Sequence, residues 1–153
     1  MKDLLSSIKP AVRQLRAYTL NHFEARVKIN QNENPFDMPA EVKAAVHKVM
    51  ADKTWCRYPA FVPIELATRL ARFAGWCTNG VLVGNGSNEL IEAVLMVTVE
   101  SGKRVAIPQP TFTLYQMLTV ILGGELRPVP LTETLGFDVP RIIEATVQAD
   151  VTL

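Results

Sequence analysis

From residue 81 onward, short apolar and β-branched runs alternate with stretches of helical periodicity, and nothing else in the chain limits its fold so tightly. Runs at 81–84, 104–107 and 126–130 have strand length and composition, whereas 87–99, 112–122 and 138–146 repeat apolar residues at helical spacing. Alternating strand and helix at this spacing predicts an α/β fold, with a mostly parallel sheet and helices on both faces. A further apolar start at Val151 stops at Leu153, just as a strand would begin. The expectation is therefore an incomplete sheet, truncated at its C-terminal side.

Upstream the pattern is weaker. Residues 1–38 have little regular periodicity beyond one short helix near 3–9, and Asn30 to Pro39 is dense in Asn and Pro. This predicts an N-terminal arm over 1–38, followed by one incomplete domain over 39–153. Pro39 suits a first helical turn, and Val42, Ala45, Val46 and Val49 form an apolar stripe behind it. A loop through Trp55, Arg57, Tyr58 and Pro59 leads to a helix at 63–74, with Ile64, Ala67, Leu70, Ala71 and Ala74 on one side.

Composition excludes some roles. Sixteen basic and fifteen acidic residues leave a net charge of +1 with no basic block, so nucleic acid or a charged membrane surface finds no electrostatic footprint. Cys56 and Cys77 show neither metal-ligand spacing nor a disulfide framework, which fits a reducing cytoplasm. No metal site is expected. The longest apolar stretches, near 90–99 and 117–122, fall short of the roughly 20 residues that cross a bilayer.

The chemistry concentrates at Val81-Leu-Val-Gly-Asn-Gly-Ser-Asn-Glu-Leu90. A β-branched run meets a glycine turn that opens an apolar helix. Amides at a helix start lack intrahelical acceptors, and the helix dipole adds partial positive charge, so the turn is a natural anion seat. Gly84 and Gly86 resemble half of a dinucleotide fingerprint, but Glu89 stands where the third glycine belongs, and no Gly-Lys-Ser/Thr follows. The plainer alternative is a tight turn with Ser87 capping the helix. After the next run comes Pro110-Thr-Phe-Thr-Leu-Tyr115, with Thr111 as the expected cap. Phe112 there could lie flat on a planar ring, a contact of about 1 kcal/mol beyond buried area. Ordinary core packing is the alternative for Phe112 and Tyr115. Phosphate turn and aromatic together, on neighbouring strand ends, suit a phosphorylated planar cofactor.

Four segments, in order, carry a resemblance: Val27-Lys-Ile-Asn-Gln-Asn-Glu-Asn-Pro-Phe36, Arg57-Tyr-Pro59, Gly86-Ser-Asn-Glu89 and Pro110-Thr-Phe112. Across residues 12 to 153 the chain resembles the histidinol-phosphate aminotransferase family, within the fold-type I enzymes that use pyridoxal 5'-phosphate. The resemblance implies that 39–153 is the N-terminal part of the large, cofactor-binding domain. Gly86 and the amides of Ser87 and Asn88 would then hold the cofactor phosphate, and Phe112 would stack on its pyridine ring, where the family more often has Tyr. Tyr58 would reach the cofactor phosphate of the other subunit in a homodimer. Tyr18 and Asn32 would line the substrate pocket, although Tyr58 can also be read as a packed loop aromatic and Asn32 as a turn former. Glu89 would favour the helix dipole but has to point away from a dianionic phosphate, which leaves it a capping role.

By the same resemblance the reaction moves an amino group between histidinol phosphate and a 2-oxo acid, in histidine biosynthesis. It needs a Schiff-base lysine, an acid for the pyridine nitrogen and a substrate arginine. In the family these follow an Asn-Pro-rich segment that this sequence does not contain. Lys103 falls at a strand start, and Lys43, Lys48 and Lys53 on or beside a surface helix, so no catalytic residue is assigned and the chain alone is expected to be inactive. Two other readings stay open: a related decarboxylase of threonine phosphate, and a non-catalytic α/β module for a phosphorylated ligand.

Overall fold

The computed structural model describes residues 4–16 and 24–153. Its helices are α1 (Pro10–Arg13), α2 (Ala40–Ala51), α3 (Ile64–Ala74), α4 (Ser87–Thr98), α5 (Thr113–Leu122) and α6 (Val139–Gln148), and its strands are β1 (Arg104–Gln109), β2 (Glu125–Pro130) and β3 (Val151–Thr152). Contacts divide the chain into two units: Met1–Tyr18 with Ile64–Leu153, and Thr19–Pro63.

The first unit holds the sheet. Its strand order is β2-β1-β3, and both pairings are parallel, Val105 lying opposite Leu126 on one side and Val151 on the other. Parallel neighbours require crossovers, and α5 and α6 supply them. The chain leaves β1 towards β2 and then returns past β1 to β3. Two crossovers of the same hand in opposite directions put their helices on opposite faces. Side-chain alternation along β1 agrees: Val105 and Ile107 are fully buried with Leu95, Val99 and Leu118, while Ala106, equally buried, points the other way.

Local chemistry accounts for the ends of these elements. Asp138 caps α6 by accepting the Arg141 amide at 3.2 Å, with Pro140 in the first turn. Asp150 accepts the Arg104 amide at 2.8 Å, joining the start of β1 to the entry of β3. Lys9 donates to the Ile121 carbonyl at 2.8 Å, satisfying a tail carbonyl of α5 from the α1 side. No described helix is long and apolar enough to cross a membrane.

One expectation changes, and two apolar stripes lie largely uncovered. Residues 81–84 form no strand: Val81 has strand-like angles and exposure alternates along the run, but no ladder partner lies beside it. β propensity makes a strand only where a neighbour takes the backbone hydrogen bonds. Helix α2 forms as expected, yet Val42, Val46 and Val49 of its stripe are all exposed, and every α2 residue is exposed. In α3, Ala67 and Ala71 are buried, whereas Ile64 and Leu70 on the same stripe remain exposed.

The second unit is described by itself. Pro39 stands at the N-cap of α2 rather than inside its first turn. Lys43 bonds Asp37 just before it, and the Trp55 indole donates to the Met50 carbonyl at 2.8 Å near the helix end.

Candidate active site

Helix α4 begins at Ser87 because Gly86, its N-cap, takes φ 85° and ψ 172°, a region essentially restricted to glycine. No side chain caps the helix, so Ser87 does not play the capping part of the plainer reading. The first-turn amides of Ser87 and Asn88 have no acceptor within the helix, and both residues are exposed. The Glu89 carboxylate folds back and accepts the amide of Asn85. It caps no amide of the helix itself and instead bonds one residue before the N-cap.

Helix α4 positions this turn against the sheet. Residues 99–103 reverse the chain into β1, and Ile91, Leu95 and Val99 pack along the Val105–Ile107 face. Twelve residues of helix cover about 18 Å and six of strand about 20 Å, so the head of α4 lies by the carboxyl edge of β1. Ligands in open parallel sheets gather at that edge, where strand order reverses, as it does at β1 here.

Phe112 stands at the same edge. It follows β1 directly, through a turn with a cis Gln109–Pro110 bond, and is the N-cap of α5. Thr111, the expected cap, is displaced because β1 runs to Gln109, two residues beyond the expected end, which shifts the helix start. Phe112 is 40% exposed and Tyr115 half-buried against the core, so the aromatic pair is only partly core. The Tyr115 amide donates to the Phe112 carbonyl at 3.2 Å.

The structure therefore brings Gly86, Ser87, Asn88 and Phe112 to one edge of one layer. Asn32 and Tyr58 belong to the other unit. Asn32 has φ 53° and is exposed, the geometry of a turn former, and Tyr58 is 94% exposed. Tyr18 lies outside the described residues. The bond from Asn85 to Glu89 is the feature that sequence reasoning missed, and the glutamate at the third helical position was its signal.

At the opposite edge, Lys103 stands 3.3 Å from Asp150, whose carboxyl is held below the usual carboxylate range by the Arg104 amide and by Lys103. No described group of three or more His, Cys, Asp and Glu residues could hold a metal ion.

The sequence model of the family described as Aminotransferase class I and II matches residues 25–151. The chain belongs to that family. Curated relatives include histidinol-phosphate aminotransferases of Chlorobaculum parvum, 39% identical over 94% of this chain and 41% of the relative, and of Chlorobium phaeovibrioides, 35% identical over 98% and 42%. The chain thus spans about two fifths of the length of the relatives it matches. Among solved structures, histidinol-phosphate aminotransferase from Sinorhizobium meliloti in complex with pyridoxal-5'-phosphate shares the fold, with a TM-score of 0.78 and 20% identity over 96% of this chain and 41% of that one. The parallel sheet with helices on both faces is therefore the fold-type I aminotransferase arrangement.

Proposed function

We propose that this chain supplies the cofactor phosphate seat of a pyridoxal-phosphate-dependent aminotransferase, which as a whole protein transfers an amino group between histidinol phosphate and a 2-oxo acid. The observation that carries this reading is the shared edge: a helix head with free amides beside Gly86, and a partly exposed aromatic heading the next helix. The substrate follows from similarity to histidinol-phosphate aminotransferases.

The residues fit the group. A phosphate ester needs several N–H donors and a positive field, which the head of α4 offers through Ser87 and Asn88. A planar ring needs an apolar face, which Phe112 offers. Pyridoxal phosphate, when bound, supplies a carbonyl for the substrate amine and an electron-withdrawing ring. Ser87 and Asn88 orient the ester, Gly86 lets the backbone approach it, and Phe112 fixes the ring plane and keeps water from one side. In this reading the family resemblance assigns Tyr58 to the cofactor phosphate of the partner in a cytoplasmic homodimer, and Tyr18 and Asn32 each to substrate binding. Residues 1–38 serve as an arm, and 39–153 as part of the large domain.

Proton transfer needs an amine at the carboxyl edge. In the unit that carries the turn, the described lysines are Lys9, bonded at the tail of α5, and Lys103, at the start of β1. Both mark the amino edge. The chain alone should bind the cofactor without covalent attachment and without turnover. Borohydride reduction of the loaded chain followed by mass spectrometry tests the attachment, and a site-specific adduct with amino transfer would overturn this part. For the whole protein, competing histidinol phosphate against threonine phosphate with carbon dioxide detection separates transfer from decarboxylation.

A further inference from the structure

The Asn85 amide is held by the Glu89 carboxylate, and the same side chain closes over Gly84. A Cβ at Gly84 would stand 2.8 Å from the Glu89 carboxylate oxygen and 2.7 Å from Leu90 Cδ2. One side chain thus bonds Asn85 and stands close beside Gly84. Its charge, however, sits one residue from Asn88 and two from Ser87, so it lies within the roughly 10 Å over which charges interact at ordinary ionic strength.

Resting on the reading of this turn as a phosphate seat, we propose that Glu89 is a positioning residue with two opposed effects. It orders the Gly84–Gly86 turn by accepting the Asn85 amide, and its negative charge weakens the affinity of that turn for a phosphate dianion. The carboxylate favours the helix dipole while the seat is empty and repels the ligand once the seat is filled. It therefore keeps the turn formed in the free protein and sets an upper limit on how tightly the ester is held.

Two substitutions separate these effects. Glu89→Gln keeps an acceptor for the Asn85 amide and removes the charge, whereas Glu89→Ala removes both. The measurement is titration of pyridoxal 5'-phosphate and of inorganic phosphate, at low and high salt, into the native chain and both variants, with hydrogen exchange of the Asn85 amide read alongside. Glu89→Gln should bind both probes about threefold or more tightly than the native chain, the gain shrinking at high salt. Glu89→Ala should bind several-fold less tightly than Glu89→Gln and exchange its Asn85 amide about fivefold faster. If all three proteins bind equally well, the phosphate seat stands and the role of Glu89 is overturned. If none binds either probe, the seat is wrong and the inference falls with it. A merely structural role would produce no salt-dependent gain in Glu89→Gln, and that result also overturns the proposal.

Discussion

Phe112 and Tyr115 meet edge to face, their ring centroids 5.8 Å apart and their planes at 86°. Phe112 heads α5 and keeps two-fifths of its surface exposed, while Tyr115, one turn on, packs against the core. The inner ring packs on the core and the outer ring packs on the inner one. In the proposed site this pairing gives Phe112 an aromatic neighbour while its outer face stays accessible.

Tyr115 should therefore govern the platform without touching the cofactor. Tyr115→Phe keeps the ring pair and should leave pyridoxal phosphate affinity within about twofold, whereas Tyr115→Leu should lower it roughly three- to tenfold. Quenching of intrinsic fluorescence on cofactor titration reads the difference, and equal affinities in the two variants would sever the link.

Gly86 should resist every side chain. Its φ of 85° with ψ of 172° lies where a Cβ is strained although nothing lies within 4 Å of it. Gly86→Ala should cost about 1–3 kcal/mol in urea unfolding. Asn tolerates the left-handed helical region but not this one, so Gly86→Asn should cost about as much. A neutral outcome would mean the turn adopts another conformation.

Acid should loosen the junction of β1 and β3 through Asp150. The Arg104 amide, and then Lys103, lower its carboxyl in the folded chain. A depressed folded value stabilises above the ordinary unfolded value near 4, and the contribution fades as pH falls through the lower folded value. Asp150→Asn should flatten the stability profile in that acid window and leave its shape near neutrality unchanged, as pH-dependent urea midpoints would show.

Leu95 is fully buried at the centre of the α4–sheet packing. Leu95→Ala should destabilise the first unit by about 2–5 kcal/mol in the same unfolding measurement, and a loss below 1 kcal/mol would place the core elsewhere.

Most of the sheet unit was legible because periodicity and punctuation agreed. The apolar spacing in 87–99 matches α4 to within one residue, and the helix expected at 138–146 begins one residue before α6. The failures share one physical origin, dependence on distant partners. Val81–Gly84 has strand composition but no strand beside it among the described residues, and the α2 stripe has helical spacing but stays exposed. A local pattern specifies conformation, whereas burial needs a second surface. At the candidate site the glycines and Phe112 were readable from their neighbours. The Glu89 contact was not, because a carboxylate at the third helical position can turn to its own N-cap, to the preceding turn or to solvent.

The most direct test of the phosphate seat is an amide NMR titration of the native chain with pyridoxal 5'-phosphate. The account predicts saturable shifts led by the Ser87 and Asn88 amides, together with upfield ring-current shifts at the Phe112 ring. Saturable binding whose shifts spare both the head of α4 and Phe112 would contradict it.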